Sequence, residues 1–123
     1  YDAAAGTMTI SMPGDVLFAS GQATLKDSSK ATLDKIVAAL RRDYAGKAIR
    51  VEGHTDSDKI TRTRNLWTDN LDLSLNRAAA VSRYLIEKGI SPRQVTTSGF
   101  GEHLPRGNDK ARNRRVEIVV VVR

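Results

Sequence analysis

The sequence predicts a two-layer α/β (α+β) sandwich: elements in the order β-α-β-α-β-β, forming one mixed sheet with both helices on the same face. Three observations carry this expectation. Two segments with apolar residues at helical spacing alternate with segments of strand character, and the chain closes on two β-prone stretches. The 123 residues, 40% of them hydrophobic, suit one ordinary domain rather than two. No apolar run approaches the roughly 18 residues of a membrane helix; the longest, Ile118 to Val122, has only strand length.

Residues 1–7 read as linker ahead of a domain spanning 8–123. Tyr1-Asp2-Ala3-Ala4-Ala5-Gly6 has neither an initiator Met nor the basic and apolar regions of a signal peptide. Any export signal or membrane anchor is therefore expected upstream. Met8-Thr9-Ile10-Ser11-Met12 alternates apolar with polar residues and stops at Pro13-Gly14, a strand followed by a turn. Between Lys26 and Arg42, Leu33, Ile36, Val37 and Leu40 fall on one helical face, with Asp27, Ser28 and Ser29 as start candidates.

Ala48-Ile49-Arg50-Val51-Glu52-Gly53 alternates again and ends at glycine, and Ser57 to Asp69 is polar, basic and aperiodic: a strand and a long loop. A second helix is expected with Ser74 as N-cap, Ala78, Val81 and Leu85 on its buried face, and Gly89, Ile90 and Pro92 closing it. Gln94 to Ser98 and Arg115 to Val122 supply the last two strands, which either pair antiparallel or lie apart. No internal repeat is present.

Twenty Lys and Arg against fourteen Asp and Glu give a net charge of +6. That balance favours an anionic partner without choosing among nucleic acid, membrane surface and acidic polymer. Single-strand nucleic-acid binding adds aromatic stacking platforms to its basic clusters; here one Trp, three Tyr and two Phe are scattered. Arg41, Arg42, Arg112, Arg114 and Arg115 read instead as solvated residues at helix ends and strand flanks, and no nucleic-acid partner is expected. The absence of cysteine excludes disulfides, thiol catalysis and cysteine-ligated metals.

One charged pair attracts a functional reading. With Ser74 as cap, Arg77 occupies the third helical position, where a cation meets the positive end of the helix dipole at a cost of about 0.3 to 1 kcal/mol. Asp72 or solvent could offset that cost. His54-Thr55-Asp56, however, directly follows a strand, where ligands of α/β layers gather. A carboxylate at Asp56 and a guanidinium at Arg77 would make a two-sided clamp, one arm for an ammonium and one for a carboxylate. Its natural target is a zwitterion such as an amino-acid end. His54, Asp56, Asp58 and His103 could in principle bind zinc or move protons, but no H-E-x-x-H, triad or phosphate-binding glycine loop accompanies them. No enzyme activity, metal or cofactor is expected.

Gly53-His54-Thr55-Asp56, followed by Asn70-Leu71-Asp72-Leu73-Ser74-Leu75-Asn76-Arg77-Ala78, resembles the G-H-T-D and N-x-x-L-S-x-x-R-A signature of the OmpA-like domain shared by OmpA, Pal and MotB. Phe18 to Leu25 is similar to its opening loop, Gly99-Phe100-Gly101-Glu102 with Pro105 to its late loop, and Asn113-Arg114-Arg115-Val116-Glu117-Ile118 to its closing motif. The resemblance covers about residues 8 to 122. It implies a periplasmic domain in a Gram-negative-type envelope that binds peptidoglycan without cleaving it. Asp56 and Arg77 would hold the zwitterionic end of diaminopimelate in the stem peptide. Thr55, Asn70, Leu73 and the backbone of Phe18 and Ala19 would line the pocket, with Arg115 as a neighbour.

The resemblance also implies a membrane connection only through an upstream segment, and leaves the oligomeric state open, a dimer included. Two departures stand out. Ala19 occupies a position where many members are acidic, and the Asp56 to Asn70 interval, with Ile60 and Trp67, has MotB-like spacing. Trp67 reads either as a partner contact or as a lid folded back on the domain. Lys59, Arg62 and Arg64 beside it read as a solvated face.

Overall fold

A computed structural model describes residues 2–123; Tyr1, the first residue of the expected linker, lies outside the described residues. Four strands, β1 (Thr7–Pro13), β2 (Ile49–His54), β3 (Val95–Gly99) and β4 (Arg115–Val121), form one sheet in the order β1-β4-β2-β3. Two long helices, α2 (Asp27–Asp43) and α3 (Asn70–Glu87), are joined by two four-residue helical turns, α1 (Gly14–Leu17) and α4 (Lys110–Asn113). The two short turns occupy segments expected as turn and loop, below the length at which helical periodicity is readable.

Strand β4 pairs antiparallel with both β1 and β2, and β2 pairs parallel with β3, so the sheet is mixed. The last two strands therefore lie apart, with β2 between them. Residues 2–7 do not trail off as linker. Asp2 and Thr7 exchange backbone hydrogen bonds of 2.7 and 3.0 Å, and Val122 N–H donates to Gly6 at 2.9 Å. Thr7 is already a sheet residue.

The alternation along each strand decides its two faces. Met12, Ile49, Val51, Val116, Ile118 and Val120 bury their side chains against Leu33, Val37 and Leu40 of α2 and Ala78, Val81 and Leu85 of α3. The opposite face of β4 is buried as well. Arg115, Glu117 and Val119 are each less than a tenth exposed, because the segment between β3 and α4 lies over them and Arg115 Nη2 donates to the Leu104 carbonyl at 3.1 Å.

Helix α3 touches the sheet backbone directly. Gly53 and Gly99 are register partners on β2 and β3, and a Cβ at Gly53 would stand 2.1 Å from the Ser74 carbonyl oxygen, one at Gly99 2.6 Å from the Leu75 nitrogen. Across the helical layer, Tyr84 Oη donates to Asp34 Oδ1 at 2.5 Å, tying α3 to α2.

Two expectations follow. Gly53→Ala forces backbone apart from backbone and should destabilise the domain by about 3 kcal/mol or more, read from the urea midpoint. The Asp34 carboxylate raises the Tyr84 phenol to about 12. A raised folded-state value means that this bond stabilises the fold fully below pH ~10 and is lost as pH climbs through that range. Ultraviolet titration of the tyrosines should show one late-ionising group that Asp34→Asn moves earlier.

Candidate functional site

A cleft of about 620 Å³ opens where β2 ends, between the loop after α1 and the N-terminal half of α3. Its walls include Phe18, Ala19, Thr55, Asp56, Asn70, Leu73 and Arg77. Seven of the eight residues expected at the site are thus brought together. The eighth is not. Arg115 points to the opposite face of β4, where it bonds Glu117 and the Asn113 and Leu104 carbonyls.

Of the two adjacent arginines, it is Arg114 that lines the cleft. Arg114 Nη1 donates to Asp56 Oδ2 at 2.7 Å, and its Nη2 donates to Asp15 Oδ2 at 2.8 Å. These bonds raise the Arg114 guanidinium well above its usual value, and the same contact holds Asp15 below the ordinary carboxylate range. Neither Arg114 nor Asp15 was expected here. A signal for Arg114 existed in strand parity, since it falls in step with Val116, Ile118 and Val120, which face the helices. Asp15 sits in a helical turn too short to carry such a signal.

Asp56 is buried, and its second oxygen is also engaged: Oδ1 accepts from Asp58 N–H at 3.0 Å. Thr55 N–H donates to Gly101 at 2.8 Å, and Gly101 N–H donates to Ser74 Oγ at 2.9 Å, so the strand end, late loop and α3 are stitched together behind the cleft. Asn70 Nδ2 donates to the Asp56 and Asp58 carbonyls at 3.3 and 3.0 Å, fixing the start of the long loop.

Helix α3 begins earlier than expected. Asp69, not Ser74, is the N-cap: its side chain accepts from Asp72 N–H at 2.9 Å, while Thr68 N–H donates to Asp72 Oδ2 at 2.9 Å. Ser74 lies one turn inside, its hydroxyl donating to Leu71 O at 2.9 Å. Arg77 therefore sits beyond the first turn, where the dipole penalty has faded. What singles it out is burial: it is 5% exposed. Its Nε donates to the Gln22 carbonyl at 2.7 Å, its Nη2 to Ala19 O at 3.3 Å, and its Cζ lies 5.0 Å from the Phe18 ring centre. Burial pushes the guanidinium below its usual value, opposed by Asp15 and Asp56. Two of its five N–H groups hold the opening loop, leaving Nη1 and one Nη2 hydrogen for another acceptor.

Trp67 folds back on the domain. Its Nε1 donates to Gly21 O at 2.7 Å, beside Thr63 Oγ1 at 2.9 Å. The lid reading holds, while Lys59, Arg62 and Arg64 are exposed as expected.

Comparison with known proteins agrees with this geometry. The model of the OmpA family matches residues 17–118. The chain belongs to the OmpA family. A putative MotB-like protein from Desulfovibrio vulgaris has a similar crystal structure, with a TM-score of 0.88 at 32% identity over 96% of this chain and 77% of that one. The cell wall anchor of the T6SS from Pseudomonas aeruginosa gives 0.81 at 33% identity, covering 93% and 80%. The peptidoglycan-associated lipoprotein of Pseudomonas putida is 36% identical over 99 residues, 76% of this chain and 55% of its own length. The chain spans about half the length, or less, of the curated relatives it matches. Among OmpA-family features, the MotB-like spacing expected for the long loop agrees with the MotB-like structural neighbour.

Because Arg77 holds the opening loop, Arg77→Ala should cost about 1 to 2 kcal/mol of stability even without a ligand, by leaving the Ala19 and Gln22 carbonyls unpaired. A lowered urea midpoint together with altered Trp67 fluorescence would register both the loss and the loosened loop.

Proposed function

We propose that this OmpA-family domain binds peptidoglycan non-covalently, gripping the zwitterionic end of diaminopimelate in the stem peptide, and so anchors an envelope protein to the cell wall. The observation that carries the reading is the pairing in one cleft of a buried carboxylate, Asp56, with a buried guanidinium, Arg77, that keeps unused donors. The ligand carboxylate meets Arg77, whose planar fork suits two parallel hydrogen bonds. The ligand ammonium meets Asp56, taking over the oxygen that Arg114 holds in the free domain. Thr55, Asn70 and Leu73 line the cleft, and the Phe18–Ala19 backbone forms its far wall.

The names of similar proteins support the wall-anchoring role: a peptidoglycan-associated lipoprotein and a cell wall anchor stand among them. They also support a binding rather than catalytic role, and a place in the periplasm of a Gram-negative-type envelope. The basic surface, at +6 overall, favours an anionic wall. A nucleic-acid reading loses two of its arginines, since Arg114 and Arg115 are held by carboxylates.

Sedimentation with purified sacculi tests the reading. The wild-type domain should pellet with the wall. Asp56→Ala and Arg77→Ala, folded by circular dichroism, should bind more weakly by roughly 2 to 5 kcal/mol, since each leaves a ligand charge unpaired in a desolvated site. Wild-type pelleting by both variants would sink the assignment. Amide shifts with meso-diaminopimelate but not with lysine, which lacks one carboxylate, would establish the finer specificity.

A further inference from the structure

We propose that Glu52, His54 and Glu117 form a binding site for one zinc-type divalent cation on the sheet face opposite the long helices. This departs from the expectation of no metal, and it is independent of the cleft on the helical side.

Alternation on β2 sends Ile49 and Val51 to the helices and so turns Arg50, Glu52 and His54 to the other face. Register then sets Glu52 directly opposite Glu117, and His54 opposite Arg115. These two carboxylates share the face with the guanidinium groups of Arg50, Arg106 and Arg115. One potential ligand atom from each of Glu52, His54 and Glu117 lies within 4.8 Å of the other two.

The imidazole points to a ligand independently of the carboxylates. His54 is 4% exposed, and neither of its ring nitrogens has a hydrogen-bond partner. Phe100 stacks on it at 5.1 Å with planes 9° apart, which fixes the ring. A buried ring with both nitrogens unmet is rare in native proteins, and coordination of a metal would satisfy one of them.

Three arginines compete for the carboxylates. Arg50 Nε is 3.5 Å from Glu52 Oε2. Arg115 Nε and Arg106 Nη2 both make their closest approach to Glu117 Oε2, so Oε1 is the oxygen that can turn to a metal. The one-nitrogen, two-oxygen donor set suits zinc and its neighbours better than calcium or magnesium, which take oxygen alone. Ligands about 2.1 Å from zinc sit roughly 3.4 Å apart in a tetrahedron, so closure from separations of up to 4.8 Å needs at most about 1.4 Å of contraction, within reach of carboxylate rotation. The half-buried Glu52 and partly exposed Arg106 mark the entry side, and solvent completes the coordination.

Calorimetric titration of the chelator-treated domain with zinc chloride should show one equivalent bound, and cobalt(II) should give the visible absorption of a low-symmetry site. His54→Gln and Glu52→Gln, checked for folding by circular dichroism, should each weaken binding at least roughly 100-fold. Replacing the exposed His103 by Gln should change nothing. The wild-type titration decides by itself: binding well below one equivalent overturns the proposal. So does binding that survives both Gln variants or disappears with His103→Gln.

Discussion

The closeness of α3 to the sheet is the constraint on which the site depends. Because Gly53 and Gly99 lack side chains, the helix backbone at Ser74 and Leu75 rests on the strand ends. No larger residue fits there without lifting the helix. That contact brings Arg77, one turn further along α3, down to the mouth of the strand that delivers Thr55 and Asp56. It also lets the buried Ser74 hydroxyl reach Gly101, so that the late loop closes the back of the cleft. Glycine on the strands, serine on the helix and the two opposed charges form one device.

The cleft is electrostatically complete before any ligand arrives. Asp15, Asp56, Arg77 and Arg114 lie together, and each carboxylate is bonded to Arg114. A ligand that presents an ammonium therefore exchanges partners rather than filling a void. Under the proposed function, binding strength is a difference between two ion pairs, which favours selectivity for a correctly spaced zwitterion over raw affinity. Arg77 holds the opening loop with the donors it does not offer to the cleft, so the residue proposed to recognise the ligand also shapes the wall beside it.

Much of this was legible in the sequence where the signal is periodic. The strands and the buried faces of α2 and α3 follow from spacing alone, and resemblance named seven of the cleft residues. The failures have physical causes. Ser74 reads as a cap because serine before an apolar face usually is one; here its hydroxyl serves the late loop, and Asp69 caps four residues of helix that carry little periodicity. Arg114 and Arg115 stand side by side in one motif, and only the parity of β4 separates the one in the cleft from the one beneath the late loop. The order of strands was beyond reach, since pairing between Thr7–Pro13 and Arg115–Val121 is long-range information that no local pattern holds.

That order has a consequence for how the domain is built. Of the four strands, β4 comes latest in sequence, yet it occupies an interior position and is the one strand that neighbours β1. Until it arrives, β1 lacks a neighbouring strand, and the β2–β3 pair presents an open edge. A growing chain thus cannot settle its sheet piecemeal from the front. The sheet is complete only once β4 is in place, and the ion pair between Asp56 and Arg114, the residue just before β4, depends on that strand.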